Sequence, residues 1–81
     1  MRVVPTYRVS YEGPQDLAMT VATALADADG VNLTSSGLPE RADGRVTLEL
    51  VVEGDADDIL DAVGVIRGTL PNGARLDLRS A

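Results

Sequence analysis

The sequence predicts an α+β domain of two layers, a four-stranded antiparallel sheet with two helices on one face. Three observations lead there. Four segments alternate apolar and polar residues with a period of two, two further segments repeat apolar residues at helical spacing, and Gly, Pro and Asn mark the boundaries. A chain of 81 residues holds one hydrophobic core and so one domain, 1–81, which buries roughly 60 to 65% of the unfolded surface.

From Val3 to Tyr11, Val3, Tyr7, Val9 and Tyr11 fall on odd positions and Arg2, Thr6, Arg8 and Ser10 on even ones, the pattern of a half-buried first strand that Pro5 weakens at its start. Glu12-Gly13-Pro14-Gln15-Asp16 reads as a helix start, with Gly13 at the cap, Pro14 at the first helical position and Asp16 near the positive end of the helix. Leu17, Val21, Ala24, Leu25 and Ala28 then form one apolar stripe, which Gly30 ends. Val31, Leu33 and Ser35 against Asn32, Thr34 and Ser36 predict a weaker edge strand. Ser36 to Gly44 is rich in turn formers and predicts a long, mobile hairpin connection. Arg45 to Glu53 is the clearest strand, with Val46, Leu48, Leu50 and Val52 on one face and only Val51 out of pattern. Asp55 caps a second helix whose first turn also holds Asp57 and Asp58, favoured there by the helix dipole. Ile59, Val63, Ile66 and Leu70 are its apolar stripe, and Gly64 within it, unfavourable by about 1 kcal/mol relative to Ala, predicts close approach of a neighbour. Pro71-Asn72-Gly73 stops it, and Ala74, Leu76 and Leu78 alternate with Arg75, Asp77 and Arg79 in a last strand. The order β-α-β-β-α-β is that of the ferredoxin-like fold. Right-handed crossovers then place both helices on one face and the strands in the spatial order 4-1-3-2, numbered along the chain.

Composition removes whole classes of chemistry. With no Cys and no His there is no disulfide, thiol or imidazole catalysis, and no zinc site of the usual ligands. No cofactor or metal is expected. Thirteen acidic residues against seven basic ones, a net charge of −6, argue against nucleic acid and anionic membranes as partners. No segment is apolar for long enough to span a membrane and the first ten residues do not resemble a signal peptide, so a cytoplasmic location is expected. Every basic residue is Arg, and the wealth of Ala, Asp, Gly and Val points to a GC-rich bacterial or phage genome. Tyr7 and Tyr11 are the only aromatic residues, so the core is light and self-association into a homodimer would add burial.

Glu12-Gly13-Pro14 and Gly30-Val31-Asn32-Leu33 resemble the ACT-domain family of small regulatory modules, which has a Pro and a Gly at its first strand-to-helix turn and a similar Gly-x-Asn opening to its second strand. The turn here reads Gly-Pro, the reverse of that family's usual Asp-x-Pro-Gly. The resemblance implies an amino acid bound between subunits, facing Glu12, Gly13, Gln15 and Asn32. Backbone N–H groups at the helix start would hold its carboxylate. Without a ligand, the same residues are an ordinary capped turn and a turn-favouring Asn.

Other activities of this fold lack their residues. A phosphate-binding enzyme needs an Arg where Glu12 and Asp16 stand, and an RNA binder needs exposed rings where Tyr7 and Tyr11 have core parity. Asp57, Asp58 and Asp61 read as a solvated helix face, with nothing apolar predicted beside them to raise a pKa. Arg2, Arg8, Arg75 and Arg79 share the open sheet face with Glu49, Glu53 and Asp77, either as a self-neutralising surface or as an interaction face for a partner or a second copy. The expectation is a non-catalytic interaction or regulatory module, homodimeric and binding a protein partner, with an amino-acid sensor as the alternative and a small enzyme as a remote third.

Overall fold

The computed structural model describes residues 4–80, so Arg2 of the predicted face and Val3 lie outside it. Strand β1 spans Thr6–Pro14, later than predicted at both ends. Pro14 has φ −55° and ψ 137°, an extended residue, so it caps helix α1 (Gln15–Asp27) from outside instead of opening it. Gly13 likewise belongs to the strand, buried and opposite Val46. A Cβ on Gly13 would lie 2.8 Å from the Tyr11 hydroxyl and 2.9 Å from the Ala74 Cβ, so packing and not capping selects glycine there. The Tyr11 hydroxyl donates to the Pro14 carbonyl at 2.7 Å. The ring is fully buried, and this bond gives its polar end a partner at the strand-to-helix corner.

Helix α1 buries Ala18, Val21 and Leu25 and closes through a turn in which Gly30 has φ 77°. Strand β2 (Val31–Ser36) is bulged between Leu33 and Ser35, and the Gly37 N–H donates to the Glu49 carbonyl at 2.7 Å. The predicted long connection is therefore largely ordered by pairing. A short strand β3 (Glu40–Ala42) runs along the same neighbour, and Asp43 (φ 52°) with Gly44 (φ 77°) makes a two-residue turn into β4 (Arg45–Gly54). Two successive positive φ angles are the signature of a type I′ hairpin turn, for which Asp-Gly is a preferred pair.

Asp55 stands at the N-cap of helix α2 (Ala56–Thr69), although its side chain makes no capping bond. Gly64 has no neighbour within 4 Å of where a Cβ would sit, so the close approach its presence suggested does not occur. Strand β5 (Arg75–Ser80) completes the sheet.

The sheet is antiparallel and runs β2-β4-β1-β5, with β3 beside β4 on the β2 side. The four longer strands thus hold the expected order, and the correction is the fifth, β3. Val9, Tyr11, Val46, Leu48, Leu50, Val52 and Leu76 project from one face of the sheet against Val21, Leu25, Ile59, Val63 and Ile66 of the helices. No polar or charged residue is buried among those described. Both sheet edges are partly blocked. On β5 the Arg67 guanidinium donates to the Leu76 carbonyl through Nε at 3.2 Å and an NH2 group at 2.7 Å, and on the other side the β2 bulge breaks the register. Occupied acceptors and bulges are common defences against edge-to-edge pairing.

Candidate functional site

The four residues that the resemblance nominates for ligand binding do not meet in one copy of the chain. Glu12, Gly13 and Gln15 lie where β1 passes into α1, whereas Asn32 is the second residue of β2, at the opposite end of the sheet. Gly13 pairs with Val46 of β4 and Asn32 with Glu53, seven residues further along the same strand. At roughly 3.3 Å per residue this is about 23 Å. The helix start is also engaged already, since the Gln15 N–H donates to the Gly44 carbonyl at 3.2 Å. Glu12 is exposed and sits 3.8 Å from Arg45. Burial pushes the pKa of the nearby Tyr11 hydroxyl above its usual value, against a smaller opposing pull from Arg45.

Beside Gln15 there is nevertheless an open cavity of about 360 Å³ between α1 and the β2–β3 edge, lined by Ala18, Met19, Ser36, Pro39 and Arg41 among others. Asn32 is not part of it. Arg41 pairs with Val46, whose side chain belongs to the core face, so Arg41 falls on the helix side of the sheet. Sequence reading missed this because β3 was hidden in the turn-rich segment, although Asp43-Gly44 was the signal that could have revealed it.

The predicted arginine face is present in part. Arg8, Arg75 and Arg79 are exposed on strands β1 and β5, and Arg8 lies directly across from Arg79. Arg45 joins them from β4. Acidic neighbours alternate with them: Arg8 is 3.6 Å from Glu49 and Arg75 is 3.9 Å from Asp77. Exposed pairs of this kind contribute about 0 to 1 kcal/mol each. The face is therefore close to neutral.

The helical layer is different. Asp16, Asp27, Asp29, Asp55, Asp57, Asp58 and Asp61 lie on the two helices and the turns that flank them, opposed there by Arg67 alone. This layer carries a charge equal to the whole net charge of −6, whereas the described residues of the sheet and its loops set five Arg against six acidic residues. Asp58 and Asp61, read from sequence as a solvated face, meet Asp27 and Asp29 at one end of a cleft of about 460 Å³ between the helices. The cleft continues as an apolar groove of about 300 Å³ past Leu17, Val21, Val65, Ile66 and Leu70. Among the described residues no acidic group is arranged to hold a metal ion, and no helix is long and apolar enough to cross a membrane.

Solved structures resemble this one over nearly its full length. The ACT domain of a GTP pyrophosphokinase from Chlorobium tepidum superposes with a TM-score of 0.74 at 12% identity, covering 94% of this chain and 99% of its own. The fold is ACT-like. The C-terminal domain of the MgtC protein from Mycobacterium tuberculosis gives 0.75 at 10% identity, covering 96% of this chain and 88% of its own. An uncharacterized protein from Thermotoga maritima gives 0.70 at 14% identity, covering 96% and 98%. No protein-family model matches the chain, and no curated protein matches it. At such identities the likeness concerns the fold.

Proposed function

We propose that this chain is a non-catalytic interaction or regulatory module that acts by binding a protein partner and associates with a second copy of itself. The observation that carries this reading is the segregation of charge between its two faces. A near-neutral sheet face with alternating charges is compatible with a copy of itself, because a two-fold axis can set Arg8 and Arg79 against Glu49 and Glu53 of the other copy. The acidic helical face repels its own kind and leaves Met19 (76% exposed) and Val65 (71%) in solvent, available to a different molecule. Among the described residues the one buried ionisable group is Tyr11, whose hydroxyl is hydrogen-bonded to the Pro14 carbonyl.

The amino-acid sensor is the second reading, favoured by the cavity beside Gln15 with Arg41 on its wall. In that reading Asn32 serves a neighbouring copy's turn, not its own.

Light scattering tests the self-association. The wild-type chain is expected to scatter as a dimer at high concentration and the double variant Arg8→Glu, Arg79→Glu as a monomer. A monomeric wild type at the highest soluble concentration, or a double variant that still dimerises, would remove the sheet face from this role.

A further inference from the structure

We propose that the groove between α1 and α2 is a docking site for a basic amphipathic helix of a partner protein, an inference that rests on the interaction-module reading. Leu17 of α1 lies beside Thr69 and Leu70 of α2, while Ala28 and Asp29 lie beside Asp58, so the helices run antiparallel and the groove has two unlike ends. One end is apolar, floored by the buried Val21 and Ile66 and walled by Leu17 and Leu70. The other carries Asp27, Asp29, Asp58 and Asp61.

The small side chains of Ala24, Ala28 and Ala62 keep the middle shallow and wide enough for close approach. Val65 stands on the rim, 71% exposed, an apolar side chain of α2 that the fold leaves uncovered. From Leu17 to Asp29 the groove follows twelve residue steps of α1 and its turn, about 18 Å at roughly 1.5 Å per step, or three turns of a docked helix. Apolar anchors at helical spacing would fill the Leu17–Leu70 end, and Lys or Arg at one terminus would meet the four aspartates. This is the helix-in-groove mode of recognition.

Charge decides the occupant. A second copy would bring its own acidic helical layer against this one and be repelled, as would nucleic acid or an anionic membrane. A cationic helix gains attraction during approach and apolar burial on arrival, and its affinity should fall with added salt.

The test uses a fluorescein-labelled Leu/Lys amphipathic helical peptide of about fourteen residues, long enough for the groove, with a Leu/Glu peptide of the same pattern as control. Fluorescence anisotropy should show saturable binding of the Leu/Lys peptide, at least about tenfold weaker (1.4 kcal/mol) to Val65→Arg and to the Asp27→Lys, Asp61→Lys double variant. The Leu/Glu peptide should not bind. These three positions are at the surface, and thermal melts matching the wild type confirm that the variants fold. Absence of binding to wild type, or equal binding to both variants, overturns the proposal.

Affinity capture from extract of the encoding cell, with wild type and Val65→Arg side by side, separates the two levels. A protein held by wild type and lost from the variant, in step with the peptide, supports the groove. One held equally by both sinks the groove and leaves the interaction reading standing, whereas capture of nothing by either removes that reading too.

Discussion

Replacing Gly54 by alanine is expected to destabilise the domain by about 3 to 5 kcal/mol. Gly54 ends β4 opposite Val31, at φ 153°, where the chain from α1 enters β2. A Cβ there would overlap the carbonyl oxygen of Gly30, a backbone atom with little freedom to retreat. Gly30 is itself confined, because it has φ 77° and the Asp58 carboxylate lies against its open side. Gly54 at the end of β4 and Gly30 in the turn before β2 thus let the two backbones approach at this corner. A domain of this size holds roughly 4 to 12 kcal/mol in total, so the variant should melt at least about 12 °C lower or be recovered unfolded. Thermal melts followed by circular dichroism measure this. Gly64→Ala is the matched control: it lies in a helix with open space around it, and the change should stabilise by about 0.5 to 1 kcal/mol. An unchanged melting temperature for Gly54→Ala would mean that the corner can open without cost.

Truncating Leu50 to alanine should cost about 2 to 5 kcal/mol, the range for a large buried side chain whose cavity cannot collapse fully. Leu50 sits in the middle of β4, fully buried, with Val9 of β1 beside it and the helices above. β4 is the strand on which β1, β2 and β3 all pair, so its backbone has little room to move into the space. Urea denaturation should show a lower midpoint with an unchanged slope. Leu60→Ala supplies the contrast, since Leu60 is mostly exposed on α2 and its removal should change stability by about 0.5 kcal/mol or less. Equal losses at the two positions would contradict the assignment of inner and outer faces.

Much of this architecture can be read from residue order. The alternation from Val46 to Val52 and the helical spacing of Ile59, Val63 and Ile66 survive unchanged into the structure, because one face of each element has to be apolar to build a core. The boundaries were less legible. Gly13-Pro14 suits a helix start equally well by propensity, and only the crowding of Tyr11 and Ala74 around Gly13 keeps it in the strand. The β3 hairpin was obscured because Ser36 to Gly44 is exposed and lacks apolar alternation, so its order comes from backbone pairing and the Asp43-Gly44 turn, not from burial. Gly64 misled in the opposite direction, a glycine with no packing reason.

The candidate sites depend still more on three-dimensional placement. Asn32 and Gly13 look related in sequence through a shared family pattern, yet the parallel course of β1 and β2 puts them at opposite ends of the sheet. Conversely, Asp27 and Asp29 are about thirty residues from Asp58 and Asp61 in the chain and come together only through the antiparallel helices. Of that acidic end, Asp58 reads in sequence as a first-turn charge favoured by the dipole and Asp61 as part of a solvated helix face, whereas Asp27 and Asp29 close α1 at the end where the dipole disfavours them and carry no local signal.

Binding of a protein partner in place of a small metabolite is tested most directly by a thermal-shift screen of the purified chain against the free amino acids. A ligand at a hundred times its dissociation constant adds about 2.7 kcal/mol to the folded state, which would raise the melting temperature by roughly 10 to 20 °C in a domain of this size. The expected result is no shift with any amino acid. A shift of that size, abolished by Asn32→Ala or Arg41→Ala, would contradict the interaction reading and identify the chain as a sensor.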